Sequence, residues 1–168
     1  MAKIHFLQNN QEFTNQEKDA ITRNVSGSKE QAPNIVLIAI ESFSADFLKQ
    51  FGEDLKKNVP GFIAVSVAEI ASGMSYYSLS ALPDFDPELA SAFNLEVVKA
   101  KMNAIKALNL QGQVVDNIMI TLSSQMHIID VSENQQYFIY LAVDSTKANL
   151  GMTKSILNKY KKEIATKL

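Results

Sequence analysis

Few residues in this 168-residue chain are of a type that does chemistry. It has two histidines, His5 and His127, and no cysteine. That removes the thiolate nucleophile, the disulfide and the thiolate metal site together. A hydroxyl nucleophile needs a base, normally histidine, held within hydrogen-bond reach. His127 lies between Met126 and Ile128, just after the polar break Ser123-Ser124-Gln125, with no nucleophile-elbow motif beside it. It reads as a structural strand histidine rather than a base or a ligand. Glu41 follows the apolar run Ile35–Ile40, where an acidic metal ligand could sit. Metal-assisted phosphoryl chemistry needs a cluster of several Asp, Glu and His, which two histidines in a short chain do not supply. No glycine is followed by Lys-Ser or Lys-Thr at phosphate-loop spacing, and there is no G-x-G-x-x-G. The expectation is a chain with no catalytic residue, no metal site and no cofactor, which does not itself bind nucleotide.

Composition narrows the class further. The formal net charge of −2 gives no electrostatic case for nucleic acid. No run of about 18 apolar residues occurs, so no membrane insertion is expected. The opening MAKIHFLQNNQEF lacks the apolar core of a signal peptide. Absence of cysteine fits a reducing compartment, and the expected localisation is cytoplasmic. Hydrophobic residues at 46% can build a sizeable core.

The core is organised around residues 114–148. Val114–Leu122 reads as a strand apolar on both faces, hence covered on both. Met126–Val131 is a second strand, and Tyr137–Val143, uncharged, is a third in mid-sheet. Upstream, Phe62–Ala68 and Met74–Leu82 form a hairpin around Ser72-Gly73. Asn34–Asn58 carries a helical stripe of Val36, Ile40, Phe43, Phe47, Phe51 and Leu55, ended by Pro60. Its start, Ile35–Ile40, could equally be a strand. Gly52 weakens this helix by roughly 1 kcal/mol relative to alanine. Asp86-Pro87-Glu88 is a strong helix start. The stripe Leu89, Phe93, Val97, Ala100, Ala104 and Leu108 is expected on the sheet, with Leu110-Gln111-Gly112 closing the helix. Ser145 or Thr146 should cap a last helix, whose lysines, Lys161 among them, favour its dipole. The polar stretch 1–33 is expected to be a flexible tail, with a short helix near Phe13–Val25 as an option. The order α-β-β-α-β-β-β-α implies an α/β fold: a three-layer α/β/α sandwich around a mostly antiparallel five-stranded sheet, spanning 34–168.

Several stretches, taken in order, resemble the roadblock / dynein light chain family. They are Asn58-Val59-Pro60-Gly61-Phe62-Ile63, Ser72-Gly73-Met74, Asp84-Phe85-Asp86, Val97–Lys101, Ile120–Ile129, Tyr140–Asp144 and Lys147–Leu150. The similarity runs from about Ala45 to Leu168. Met126 stands where the family usually has an aromatic, and Asp130 where a basic residue is frequent. The run Pro33–Phe43 separately looks like the opening strand of sulfatase-like phosphotransferases, a fold too large for this chain.

The family resemblance implies a homodimer paired edge to edge through Val114, Asp116, Ile118, Ile120 and Leu122. The middle helices would lie side by side and bring Phe93 and Val97 to the same interface. It implies a Ras-like small GTPase as partner, regulated without enzymatic activity of the chain's own. The alternative is a structural adaptor of a motor, motility or secretion assembly. The side of the middle helix expected to face away from the sheet, with Lys99, Met102 and Lys106, rimmed by Glu96 and Asn103, would be the partner's platform.

Overall fold

A computed structural model describes residues 32–168, with side chains from Ser44 onward. The expected tail and the helix near Phe13–Val25 lie outside the described residues, except that Ala32 and Pro33 already belong to a helix. The elements are α1 (Ala32–Asn58), β1 (Phe62–Glu69), β2 (Ser75–Ser80), α2 (Pro87–Ala107), β3 (Asn117–Thr121), β4 (Gln125–Val131), β5 (Tyr137–Asp144) and α3 (Leu150–Lys167). Ile35–Ile40 is helical, which settles its ambiguity against the strand and against the phosphotransferase likeness. The unit described below is Ser44–Leu168.

The sheet order is β2-β1-β5-β4-β3, and every neighbouring pair is antiparallel. β5, uncharged from Tyr137 to Val143, takes the centre, as its composition requires. Alternate residues of each strand serve opposite faces. On one face Val65, Val67, Ile139, Leu141 and Val143 meet Phe47, Phe51 and Leu55 of α1 and Leu157, Tyr160 and Ile164 of α3. On the other, Ala64, Ala68, Ile129, Phe138, Tyr140 and Ala142 meet Leu95 and Val98 of α2. This is the expected sandwich: one helix over one face, the two others over the opposite one.

Several boundaries differ from expectation for local reasons. Asn149, rather than Ser145 or Thr146, caps α3, its side chain accepting from the Met152 amide at 3.1 Å. The earlier residues are held in a turn, where Asp144 Oδ1 accepts from both the amide and the hydroxyl of Thr146. α2 stops before Gly112. Asn109, at φ 52°, makes the left-handed exit, and the Leu110 amide donates back to the Ile105 carbonyl. Gly61, at φ 75°, turns the chain from α1 into β1; a Cβ there would sit 2.9 Å from the Asp144 carbonyl oxygen.

Candidate interaction surface

α2 begins where the sequence places its start. Asp86 Oδ1 accepts from the amides of Glu88 and Leu89 at 2.9 and 3.0 Å, and Pro87 opens the first turn. The helix is rotated from the expected orientation. Its sheet-facing line is Ser91, Asn94, Leu95 and Val98, continued by half-buried Met102 and Ile105. The stripe expected on the sheet faces outward instead: Leu89 is 57% exposed, Phe93 71% and Leu108 67%. Two helical lines of apolar residues run along α2, and the better-patterned one is the wrong guide. The buried line carries two polar residues that obscured it. Asn94 satisfies its own amide by donating to the Ala90 carbonyl at 2.7 Å. The Ser91 and Ser66 hydroxyls, both buried, find no hydrogen-bond partner among the described residues.

This rotation sorts the expected platform residues. Glu96, Asn103 and Lys106 are exposed, and Lys99 is half-buried. Met102 was expected on the outward side; it packs partly against the cluster beneath α2.

Residues 114–122 lie at the sheet edge, but the strand proper is only Asn117–Thr121. Val114 and Leu122 are exposed beyond its two ends. Val115 is buried, with its carbonyl accepting from Gln135 Nε2 at 3.0 Å. The Val131 amide donates to the Asp116 carbonyl, and the Leu122 amide to that of Gln125. Backbone polar groups in a strand alternate sides, so those of even-numbered residues point to β4. The N–H and C=O groups of Asn117, Met119 and Thr121 therefore point away from the sheet. Ile118 and Ile120 turn partly into the cluster under α2, and Met119 into the opposite one.

An open groove of about 550 Å³ runs between α2 and the segment entering β3, lined by Val97, Lys101, Ile105, Val114, Asp116 and Ile118 among others. Behind its far wall lies a charged cluster with no counterpart in the sequence reading. Lys161 Nζ donates to Asp130 Oδ1 at 2.9 Å, to the Asp116 carbonyl at 3.1 Å, and to the Asp116 carboxylate. The side chains of Lys161 and Asp130 are 8% and 6% exposed, that of Asp116 73%. Burial pushes the Asp130 carboxyl up, and Lys161 pulls back only in part. The hydrogen bond from Lys161 draws the Asp116 carboxyl down. For Lys161 burial works against the charge, but the two carboxylates outweigh it and its pKa is raised. The readable signal was Asp130, a lone acid at the end of the apolar run Ile128-Ile129.

His127 sits in β4, half-buried. Its Nε2 is 3.0 Å from Gln125 Oε1 and its Nδ1 3.3 Å from the Tyr140 hydroxyl, against which the ring stands edge-on. Burial pushes its pKa below the ordinary value. Among the described residues no group of three or more His, Asp or Glu could hold a metal ion, and no helix is long and apolar enough to cross a membrane. What this face of the molecule offers is a strand edge and an apolar helix stripe.

The fold as a whole superposes on solved structures. MglB of Myxococcus xanthus superposes with a TM-score of 0.60 at 11% identity, over 75% of this chain and 87% of that one. The chain has the roadblock/LC7 fold. The gliding protein MglB from Thermus thermophilus gives a TM-score of 0.61 at 15% identity, over 74% and 90%. A roadblock/LC7 domain from Streptomyces avermitilis gives 0.60 at 11%, over 70% and 93%. Identities this low make the likeness one of fold. No protein-family model matches the sequence, and no curated protein does either.

Proposed function

We propose that this chain is a non-enzymatic homodimeric regulator that binds a Ras-like small GTPase and modulates its nucleotide cycle. The observation that carries the reading is the exposed apolar stripe of α2, whose Val97 lines a groove with Val114 and Ile118 at the free edge of β3. An open strand edge without charge invites pairing, and an apolar patch beside it marks an interface. The stripe also has the symmetry that self-pairing needs. Residues 89 and 108, 93 and 104, and 97 and 100 lie equally far on either side of the Val98–Lys99 bond. A two-fold antiparallel helix pair centred there sets Phe93 against the partner's Ala104 and Val97 against the partner's Ala100, large against small. Met119, midway along β3, has its backbone groups directed outward for the matching strand pair.

Two such helices make one continuous platform bearing Glu96, Lys99, Asn103 and Lys106 twice, so a single GTPase can touch both subunits. The chain has no phosphate loop. Its effect on hydrolysis must come from binding one nucleotide state of the partner more tightly than the other. The test is a titration of the protein into a candidate GTPase loaded with GTP or with GDP, with hydrolysis followed in parallel. Unequal affinities and a changed hydrolysis rate are expected, and Lys106→Glu should weaken binding without dissociating the dimer. Equal affinities with an unchanged rate would favour an adaptor role in a motility assembly, a reading in keeping with the gliding protein among the structural neighbours.

A further inference from the structure

The segment 108–116 must present Val114 and lead into β3, yet it has little regular structure of its own. It is held by turn bonds back to the end of α2, by the buried Val115 side chain, by the Gln135 bond to the Val115 carbonyl, by the Val131 bond to the Asp116 carbonyl, and by Lys161. That lysine reaches from the penultimate turn of α3 and binds Asp116 through main chain and side chain at once. Its second carboxylate, Asp130, belongs to β4, the strand on which β3 is laid. One ammonium thus joins α3, β4 and the residue immediately before the free edge. Such a tie is a poor device for stability alone: burying Lys161 and Asp130 costs about what their attraction returns, and the Asp116 carboxylate is largely exposed. It is a good device for fixing one geometry, because the ammonium has three donors and all three are engaged in directed bonds.

We propose that Lys161 is a positioning residue for the self-pairing surface: with Asp116 and Asp130 it clamps the segment entering β3 in the shape that both the edge and the adjoining groove require. The proposal rests on the homodimer reading above. Loss of the clamp frees residues 114–117 to fray from β4. An edge strand of five residues then offers fewer aligned backbone groups to a second copy, and the wall of the groove opposite Val97 is no longer fixed.

The variants are Asp116→Ala, which removes an exposed side chain, and the double variant Lys161→Met with Asp130→Asn, which avoids leaving Asp130 buried without its cation. Tyr160→Phe is the control: it removes a 2.7 Å bond from the adjacent residue of the same helix to Asp54 of α1, and touches none of the clamp's bonds. Dimer dissociation constants by sedimentation equilibrium and amide exchange rates of Val115–Thr121 are measured on the full chain. The double variant should bind itself about tenfold more weakly, the scale of one lost buried charged interaction, and Asp116→Ala, which loses an exposed side chain and keeps the main-chain bond, more weakly by a smaller factor. They should exchange faster at 115–118, with β1 and β5 unchanged, while Tyr160→Phe keeps the wild-type constant. Clamp variants that dimerise and exchange like the wild type, or no worse than Tyr160→Phe, overturn the proposal. A wild-type chain that stays monomeric overturns the pairing reading instead. The exchange rates alone then decide whether the clamp exists: faster exchange at 115–118 supports it, and unchanged exchange removes it.

Discussion

At Gly52 the local rule and the packed structure predict opposite signs. Helix propensity makes this glycine a defect, so alanine should stabilise by about 1 kcal/mol. In the fold, a Cβ there would lie 2.0 Å from the Tyr77 hydroxyl and 2.4 Å from its ring, because β2 lays that tyrosine across α1 at this turn. Gly52→Ala is therefore expected to lower stability by about 1–3 kcal/mol, the usual cost of overpacking, as read from urea unfolding. A higher midpoint than the wild type would contradict the packing. Buried tyrosines set a second residue-level expectation. Burial pushes the Tyr140 hydroxyl up to about 12 from 10.0, and Tyr77, Tyr137 and Tyr160 also lie above their ordinary value. Lys161 is raised too. Each group keeps its proton to higher pH folded than unfolded. Their stabilisation is full below about pH 10 and is lost as pH climbs toward 12. Unfolding midpoints should hold from pH 8 to about 10 and then fall steeply; a flat profile to pH 11.5 would contradict the burial of these rings.

At the scale of elements, the middle helix is the instructive case. The order of elements along the chain, the helix count and the central place of Tyr137–Val143 were legible, because the strands are short apolar runs bounded by polar turns and Asp86-Pro87 announces a helix. The orientation of α2 was not legible. Its outward line is more regularly apolar than its inward one, and in a single sequence nothing distinguishes an interface stripe from a core stripe. The shortened β3 and the clamp were hidden for a related reason. Asp116 breaks no pattern in a strand read as two-faced, and Lys161 looks like any lysine near a helix C-terminus. The rotation of α2 makes a sharp contrast between neighbours two positions apart. Leu95→Ala, inside, should cost about 2–5 kcal/mol of stability. Phe93→Glu, outside, should leave each folded subunit intact by circular dichroism and yet prevent self-association. If Phe93→Glu unfolds the chain and Leu95→Ala does not, α2 has been oriented the wrong way round.

For the molecule as a whole, the two edges of the sheet are unequal. β2 carries no charge and exposes Tyr76, with Met74 and Leu82 beyond its ends, but acids stand beside it: Ser78 donates to Glu88 at 2.8 Å, and Asp84 and Asp86 follow in the next loop. β3 has the groove, walled by Val97 of the α2 stripe, and the clamp on its side. On the proposed reading the protein acts by the shape and symmetry of its surface, which two copies complete together. The most direct measurement is the solution mass of the full chain at low micromolar concentration, by light scattering, beside Phe93→Glu. The wild type should run at twice 18.6 kDa and the variant at 18.6 kDa, with the same circular dichroism. A wild-type mass of 18.6 kDa, or a variant that remains dimeric, would contradict self-pairing through β3 and α2.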